Sequence, residues 1–211
     1  MSLIFNKKTH QYFLKDKELF SVSKILDNYL GSSYDKIPKE ILEPAIIKGN
    51  IVHKVAELYF KNINNDNLVK KIKDKLVNNK FNENILSYCL TLLNFLEKKF
   101  TGNLETISEQ MFNADVVAGT PDLIFKNKLD LYTIIDFKTY KVMSKVLKIK
   151  AELQLTAYYW LLKNNGFDLS NINFICWVKE KQIELIKVEI TKEKLHEWEM
   201  ALALWKEKWH E

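Results

Sequence analysis

The chain has 211 residues, 47% of them hydrophobic and 12% aromatic, with only five glycines and three prolines. That is enough to bury a sizeable core and too little turn-forming material for a linker, a collagen repeat or a low-complexity tail, so one unit spanning 1–211 is expected. Thirty-two basic residues against 27 acidic ones give a net charge of +5, which suits a polyanionic partner without requiring one. No run of eighteen apolar residues occurs and the first residues lack the build of a secretion leader, so neither a membrane span nor export is expected and a cytoplasmic location is. Taken in chain order, residues 1–100 read as a small hairpin followed by helices. Two short apolar runs precede Ser21 and Ser23, either of which can cap a helix entering Ile25 and Leu26. Pro38–Phe60 reads as a helix with Pro44 as a restart, and Asp66–Val77 and Asn82–Phe100 read as two more.

The period then changes. Over 101–190 the segments Leu104–Phe112, Val116–Phe125 and Leu131–Lys138 are short, rich in β-formers and separated by Asn, Asp and Lys turns, which predicts successive strands. Lys145–Leu162 has the clearest helical spacing, with Val146, Leu153, Ala157 and Leu161 able to face a core, and Asn165-Gly166 ends it. Ile172–Val178 and Gln182–Ile190 predict two further strands, and a closing helix over Thr191–Trp209 accounts for 191–211. The two cysteines, Cys89 and Cys176, form no metal-type or redox-type pair in sequence and read as buried thiols.

Four places combine residues that can carry chemistry. In LYTIIDFK, a period of two puts Asp136 and Lys138 on one face with Ile134, and Ile135 and Phe137 on the other. An acid, any residue, then lysine is expected about four times by chance at this composition, so spacing alone says nothing. Location says more, because a charge within a buried strand costs several kcal/mol unless it is paired or binds a metal. An ion pair on an exposed strand face is the plainer alternative. Asp122, in AGTPDLIF, is the second candidate: a neighbouring strand can bring it beside Asp136, where a divalent cation would relieve the repulsion, whereas Gly-Thr-Pro-Asp can also be a simple turn. His53 and Glu57 share a helix face one turn after Gly49, as a further ligand pair or as a core histidine beside a solvated glutamate. Lys150, Gln154 and Tyr158 form a polar stripe that suits a phosphate backbone or plain solvent.

Every basic residue here is a lysine. Codon usage in an AT-rich genome would account for this and for the many Asn and Ile residues. The chemical consequence stands regardless of origin: without arginine the chain lacks the usual bidentate reader of guanine, while lysine can still bind phosphate.

In order, Gly49 with His53 and Glu57, Gly119 with Pro121-Asp122, Asp136-Phe137-Lys138, and Gln154 with Tyr158 resemble the PD-(D/E)XK nuclease superfamily, in particular its RecB-like and phage-exonuclease branch. The opening HQYFLKDKELFSVSKIL resembles the start of phage-type exonucleases, so the resemblance covers roughly residues 10–162. It implies an α/β (α+β) fold with a restriction-endonuclease-like core, a central mixed sheet flanked by helices in the order αβββαβ, behind an N-terminal helical region. It implies Mg²⁺ or Mn²⁺ held by Asp122, Asp136, the Phe137 backbone carbonyl and His53, with Lys138 orienting or deprotonating the attacking water. Glu57 and Glu109 would stand behind these ligands. Gln154, Tyr158 and Lys150 would hold DNA or the lysine, and Ser21, Ser23 and Lys24 would bind a terminal phosphate. The activity implied is a DNA nuclease with little sequence preference, most simply an exonuclease of recombination, repair or phage DNA processing in a bacterial or phage-infected cell. It would work with or without a homo-oligomer or a recombination or helicase partner. A restriction-like endonuclease and a catalytically silent nucleic-acid-binding module are the alternatives. The absence of further cysteines implies no iron–sulfur cluster.

Overall fold

The computed structural model describes residues 3–6, 9, 11–31, 37–63, 67–78, 81–100 and 104–209; His10 and Asp66 lie outside the described residues. The chain opens with β1 (Ile4–Asn6), β2 (Gln11–Leu14) and β3 (Lys17–Ser21), an antiparallel meander where two runs predicted a single hairpin. Helices α1 (Val22–Leu30), α2 (Lys39–Lys61), α3 (Leu68–Asn78) and α4 (Glu83–Lys99) follow. Ser21 caps α1, its Oγ accepting from the Lys24 backbone N–H at 3.1 Å. Pro44 lies inside α2 and does not restart it. The bond that Pro44 forfeits is to the carbonyl of Glu40, on exposed first turns where water replaces it.

Strands β4 (Thr106–Ser108), β5 (Phe112–Ala114), β6 (Val117–Gly119), β7 (Leu123–Lys126) and β8 (Tyr132–Lys138) come next. The chain then runs through α5 (Lys145–Lys163), β9 (Ile172–Val178), β10 (Ile183–Glu189) and α6 (Lys192–Trp209). The predicted strands Leu104–Phe112 and Val116–Phe125 are each cut in two. The β4–β7 pair belongs to a sheet ordered β10-β9-β8-β7-β4, and the β5–β6 pair to a second sheet ordered β1-β2-β3-β6-β5. The central mixed sheet expected from sequence is present as two mixed sheets joined by one long, bent hairpin. Both of its arms break at one level, at Glu109, which takes a left-handed φ of 52°, and at Thr120–Asp122, where Pro121 has no N–H to offer a ladder. The Glu109 N–H and the Ser108 hydroxyl both donate to the Asp122 carbonyl, at 3.2 Å each, so the two breaks face one another.

The larger sheet is filled on both faces. Ile134, Ile175 and Val188 pack with α1, α5 and α6 residues in one core, while Ile135, Phe137, Cys176 and Val178 pack with α2, α3 and α4 in the other. Alternation along β8 sends successive residues to opposite cores, as the period of two predicted. Strand β8 pairs antiparallel with β7 and parallel with β9, and the parallel pairing requires a crossover, which α5 supplies. Both cysteines are buried in the α2–α4 core as free thiols. Of the residues expected to face the core from α5, Leu153, Ala157 and Leu161 do, but Val146, in the first turn of the helix, is exposed. No helix among the described residues is long and apolar enough to cross a membrane.

Two glycines give opposite predictions. A Cβ on Gly119 would lie 2.9 Å from Cε1 of the buried Tyr158 ring and 3.1 Å from Cγ2 of Val22. On Gly49 it would meet only Thr139 Oγ1, at 3.5 Å. Gly119→Ala should therefore cost about 1–3 kcal/mol in urea unfolding through overpacking. Gly49→Ala, in a helix interior, should be neutral or stabilising by up to about 1 kcal/mol in the same assay.

Candidate functional site

The bend in the long hairpin, the C-terminal end of β8 and the middle of α2 meet at the floor of an open cleft of about 1400 Å³. Asp122 stands at the bend. Its Oδ1 lies 3.1 Å from His53 Nδ1 on α2, and its Oδ2 accepts from the Phe137 N–H at 2.7 Å. His53, Glu109 and Asp122 bring one ligand atom each to within 4.8 Å of one another. Beside them Asp136, fully buried, has Oδ2 2.7 Å from Lys138 Nζ. That contact is an ion pair outside hydrogen-bond alignment, so Oδ2 has no aligned donor. Lys138 donates to Gln154 Oε1 on α5 at 2.8 Å, and Gln154 Nε2 donates to the Tyr158 hydroxyl at 2.9 Å. The sequence stripe on α5 thus reaches the strand lysine from the side opposite His53.

The electrostatics follow from crowding carboxylates out of water. Burial, then the neighbouring Asp122 charge, pushes Glu109 up to about 7. Burial also raises Asp136, only partly offset by Lys138. Asp122 ends below its ordinary value because His53 and Lys138 outweigh its burial. Burial alone would lower His53, but the charge and hydrogen bond of Asp122 lift it to about 9. Lys138 is likewise held above its ordinary value, since Asp136 outweighs burial, and so keeps its proton. The donor set is one imidazole nitrogen and carboxylate oxygens, with a buried oxygen lacking an aligned donor. It fits a hard or borderline divalent cation of the Mg²⁺ or Mn²⁺ kind, with Glu109 among the candidate ligands where sequence placed it behind them.

Residues 28–210 match the family described as the PD-(D/E)XK nuclease superfamily. The chain belongs to that superfamily. Its α/β architecture, with mixed sheets flanked by helices, is the restriction-endonuclease-like fold. No curated protein matches it. Similar solved structures include SSO0001, at 15% identity and TM-score 0.45 over 91% of this chain and 78% of that one. A candidate exonuclease from Eubacterium rectale is similar at 15% identity and TM-score 0.49 over 87% and 77%. An alkaline exonuclease from Laribacter hongkongensis is similar at 10% identity and TM-score 0.41 over 74% and 85%.

In this PD-(D/E)XK chain the remaining sequence candidates separate. Glu57 lines the cleft but is clamped by Lys54 and Lys61, each at 2.7 Å, which hold it below its ordinary value despite partial burial. Lys150, expected on a face open to phosphate, is buried and paired with Asp27, because α1 packs across that turn of α5. Ser21, Ser23 and Lys24 do not line the cleft. Ser21 is occupied as the cap of α1, its Oγ 3.3 Å from that of Ser23, and Lys24 lies 6.0 and 5.9 Å from the ring centroids of Trp205 and Trp209. Sequence reasoning missed the Tyr12–Thr120 hydroxyl pair at 2.9 Å, which ties the first sheet to the bend. Nothing in a lone Tyr or Thr announces such a contact across 108 positions.

Glu109 gives a pH-dependent prediction. Its folded pKa, about 7, lies above the ordinary 4.5, so the folded state holds the proton more tightly and stability falls as pH climbs through that window. His53 has the pattern of a gained partner: its contribution is complete below about 6.5 and is lost as pH rises through about 9. In EDTA at pH 8, Glu109→Gln should raise Tm by roughly 3–6 °C, with almost no change at pH 4.5, measured by thermal circular dichroism.

Proposed function

We propose that the chain is a Mg²⁺- or Mn²⁺-dependent deoxyribonuclease, acting as an exonuclease in recombination, repair or phage DNA processing in the cytoplasm of a bacterial or phage-infected cell. The observation that carries this reading is the convergence of His53, Glu109 and Asp122 on the cleft floor beside the Asp136–Lys138 pair. His53, Asp122, Glu109, Asp136 and the Phe137 carbonyl would hold the cation. When bound, it supplies an acidified water and neutralises charge on the phosphate under attack.

The chain's own residues do the rest. The Phe137 N–H fixes the Asp122 carboxylate against β8, and His53 fixes its other oxygen. Lys138, paired with Asp136, serves as a positive donor to a phosphate oxygen, or orients or deprotonates the attacking water. Gln154 holds the ammonium at a fixed distance from α5, and Tyr158 holds Gln154. The exonuclease assignment rests on the motif order and on the absence of arginine for reading sequence.

Linear and covalently closed circular DNA, incubated with Mg²⁺ or Mn²⁺, provide the test. Linear DNA should be consumed and circles left intact, EDTA should stop the reaction, and Asp122→Ala and Lys138→Ala should each slow it at least a hundred- to a thousand-fold. Cutting of circles would make the protein an endonuclease. A folded protein that binds Mn²⁺ by calorimetry and cuts neither would be a silent binding module.

A further inference from the structure

The cleft above the carboxylates has walls of unexpected chemistry. One wall is the first half of α2 and the other is the loop and first turn between β8 and α5. Ile41, Ile46, Ile47, Val142 and Val146, all lining it, are 50 to 68% exposed. Phe5, from the edge strand of the first sheet, lines it as well. The same cleft ends on His53, Asp122 and Lys138, so whatever fills it lies against the candidate metal site.

The charge on the lining is modest and mostly engaged. Of its four lysines, Lys54 is paired with Glu57 at 2.7 Å and Lys138 with Asp136 at 2.7 Å, Lys48 has its Nζ 4.1 Å from the centroid of the Tyr88 ring, and Lys141 is exposed at the rim. Duplex DNA presents an unbroken phosphate surface, about one charge per 1.7 Å of axis, and its bases are stacked out of reach. Laid in this cleft, a duplex would set phosphates against isoleucine and valine along both walls, losing hydration there with few cations in return. A single strand can turn its bases outward, and their apolar faces gain by contact with such a wall while the backbone faces solvent and the floor.

Resting on the nuclease reading above, we propose that the cleft selects single-stranded DNA, its bases laid against the aliphatic wall formed by α2 and the β8–α5 loop. The wall residues set which DNA reaches the carboxylates and do not take part in bond cleavage. They are specificity residues on exposed positions, so polar substitutions there leave the core untouched.

Binding and cleavage are read separately. Fluorescence anisotropy in Ca²⁺ compares a labelled 20-nucleotide strand with the blunt duplex of the same sequence, using the full chain and its Ile41→Gln/Val146→Gln variant. The single strand should bind at least tenfold more tightly than the duplex, and the double variant should lose about tenfold for the strand alone, with an unchanged thermal melt. Equal or tighter duplex binding overturns the proposal, as does a variant that binds the strand like the parent. A concentration-dependent dimer in sedimentation that the same variant disperses also overturns it, giving the wall to a second copy of the chain. Digestion in Mn²⁺ keeps the two readings apart. Hydrolysis of strand and duplex at equal rates removes the strand preference and leaves the nuclease standing. Tenfold-selective binding without hydrolysis removes the nuclease and leaves the cleft as a single-strand site.

Discussion

Three carboxylates share a small volume from which much of the water is excluded, and the structure around them is arranged to make that tolerable. Asp122 repels both Asp136 and Glu109, and the chain answers with an imidazole from one helical layer and an ammonium from the strand itself. The balance is incomplete. Glu109 and Asp136 remain reluctant to ionise, which is the electrostatic signature of a place prepared for more positive charge than the protein supplies. That imbalance costs stability, and on the proposed reading a bound cation relieves it.

The bent hairpin makes the crowding possible. Two continuous strands would alternate their side chains between faces and keep Glu109 and Asp122 within one ladder. Breaking both arms at the same level turns both acids toward α2 while the Asp122 carbonyl still holds the arms together. The larger sheet then contributes Asp136 and Lys138 from its α5 face, and His53 arrives from the α2 face, so the site sits where the two cores meet at the end of β8.

Much of this was legible in the residues. The period of two in YTIIDFK correctly divided Ile134 from Ile135 and Phe137, and the helices from Lys39 onward fell close to their predicted spans. The split into two sheets was not legible, because Leu104–Phe112 and Val116–Phe125 look like unbroken β-forming runs. The breaks depend on a left-handed glutamate, a conformation that composition does not announce. Glu109, expected behind the ligands, has a carboxylate oxygen within 4.8 Å of the ligand atoms of His53 and Asp122. Lys150 looked like part of a solvent stripe because its partner, Asp27, is 123 positions away on a helix whose packing sequence periodicity cannot specify. The aliphatic first half of α2 was visible as letters, but an exposed isoleucine and a buried one read alike until the neighbouring elements are in place.

The row from Lys138 through Gln154 to Tyr158 has a direction. An ammonium can only donate, so the amide must present its oxygen to Lys138 and its nitrogen to the tyrosine, and the phenol oxygen must accept. A carboxylate at position 154 would offer acceptors at both ends and add a fourth negative charge; a leucine would offer nothing. Asparagine carries the right groups on a stem one methylene shorter. Among the twenty side chains, glutamine alone has both the polarity and the reach that this position uses.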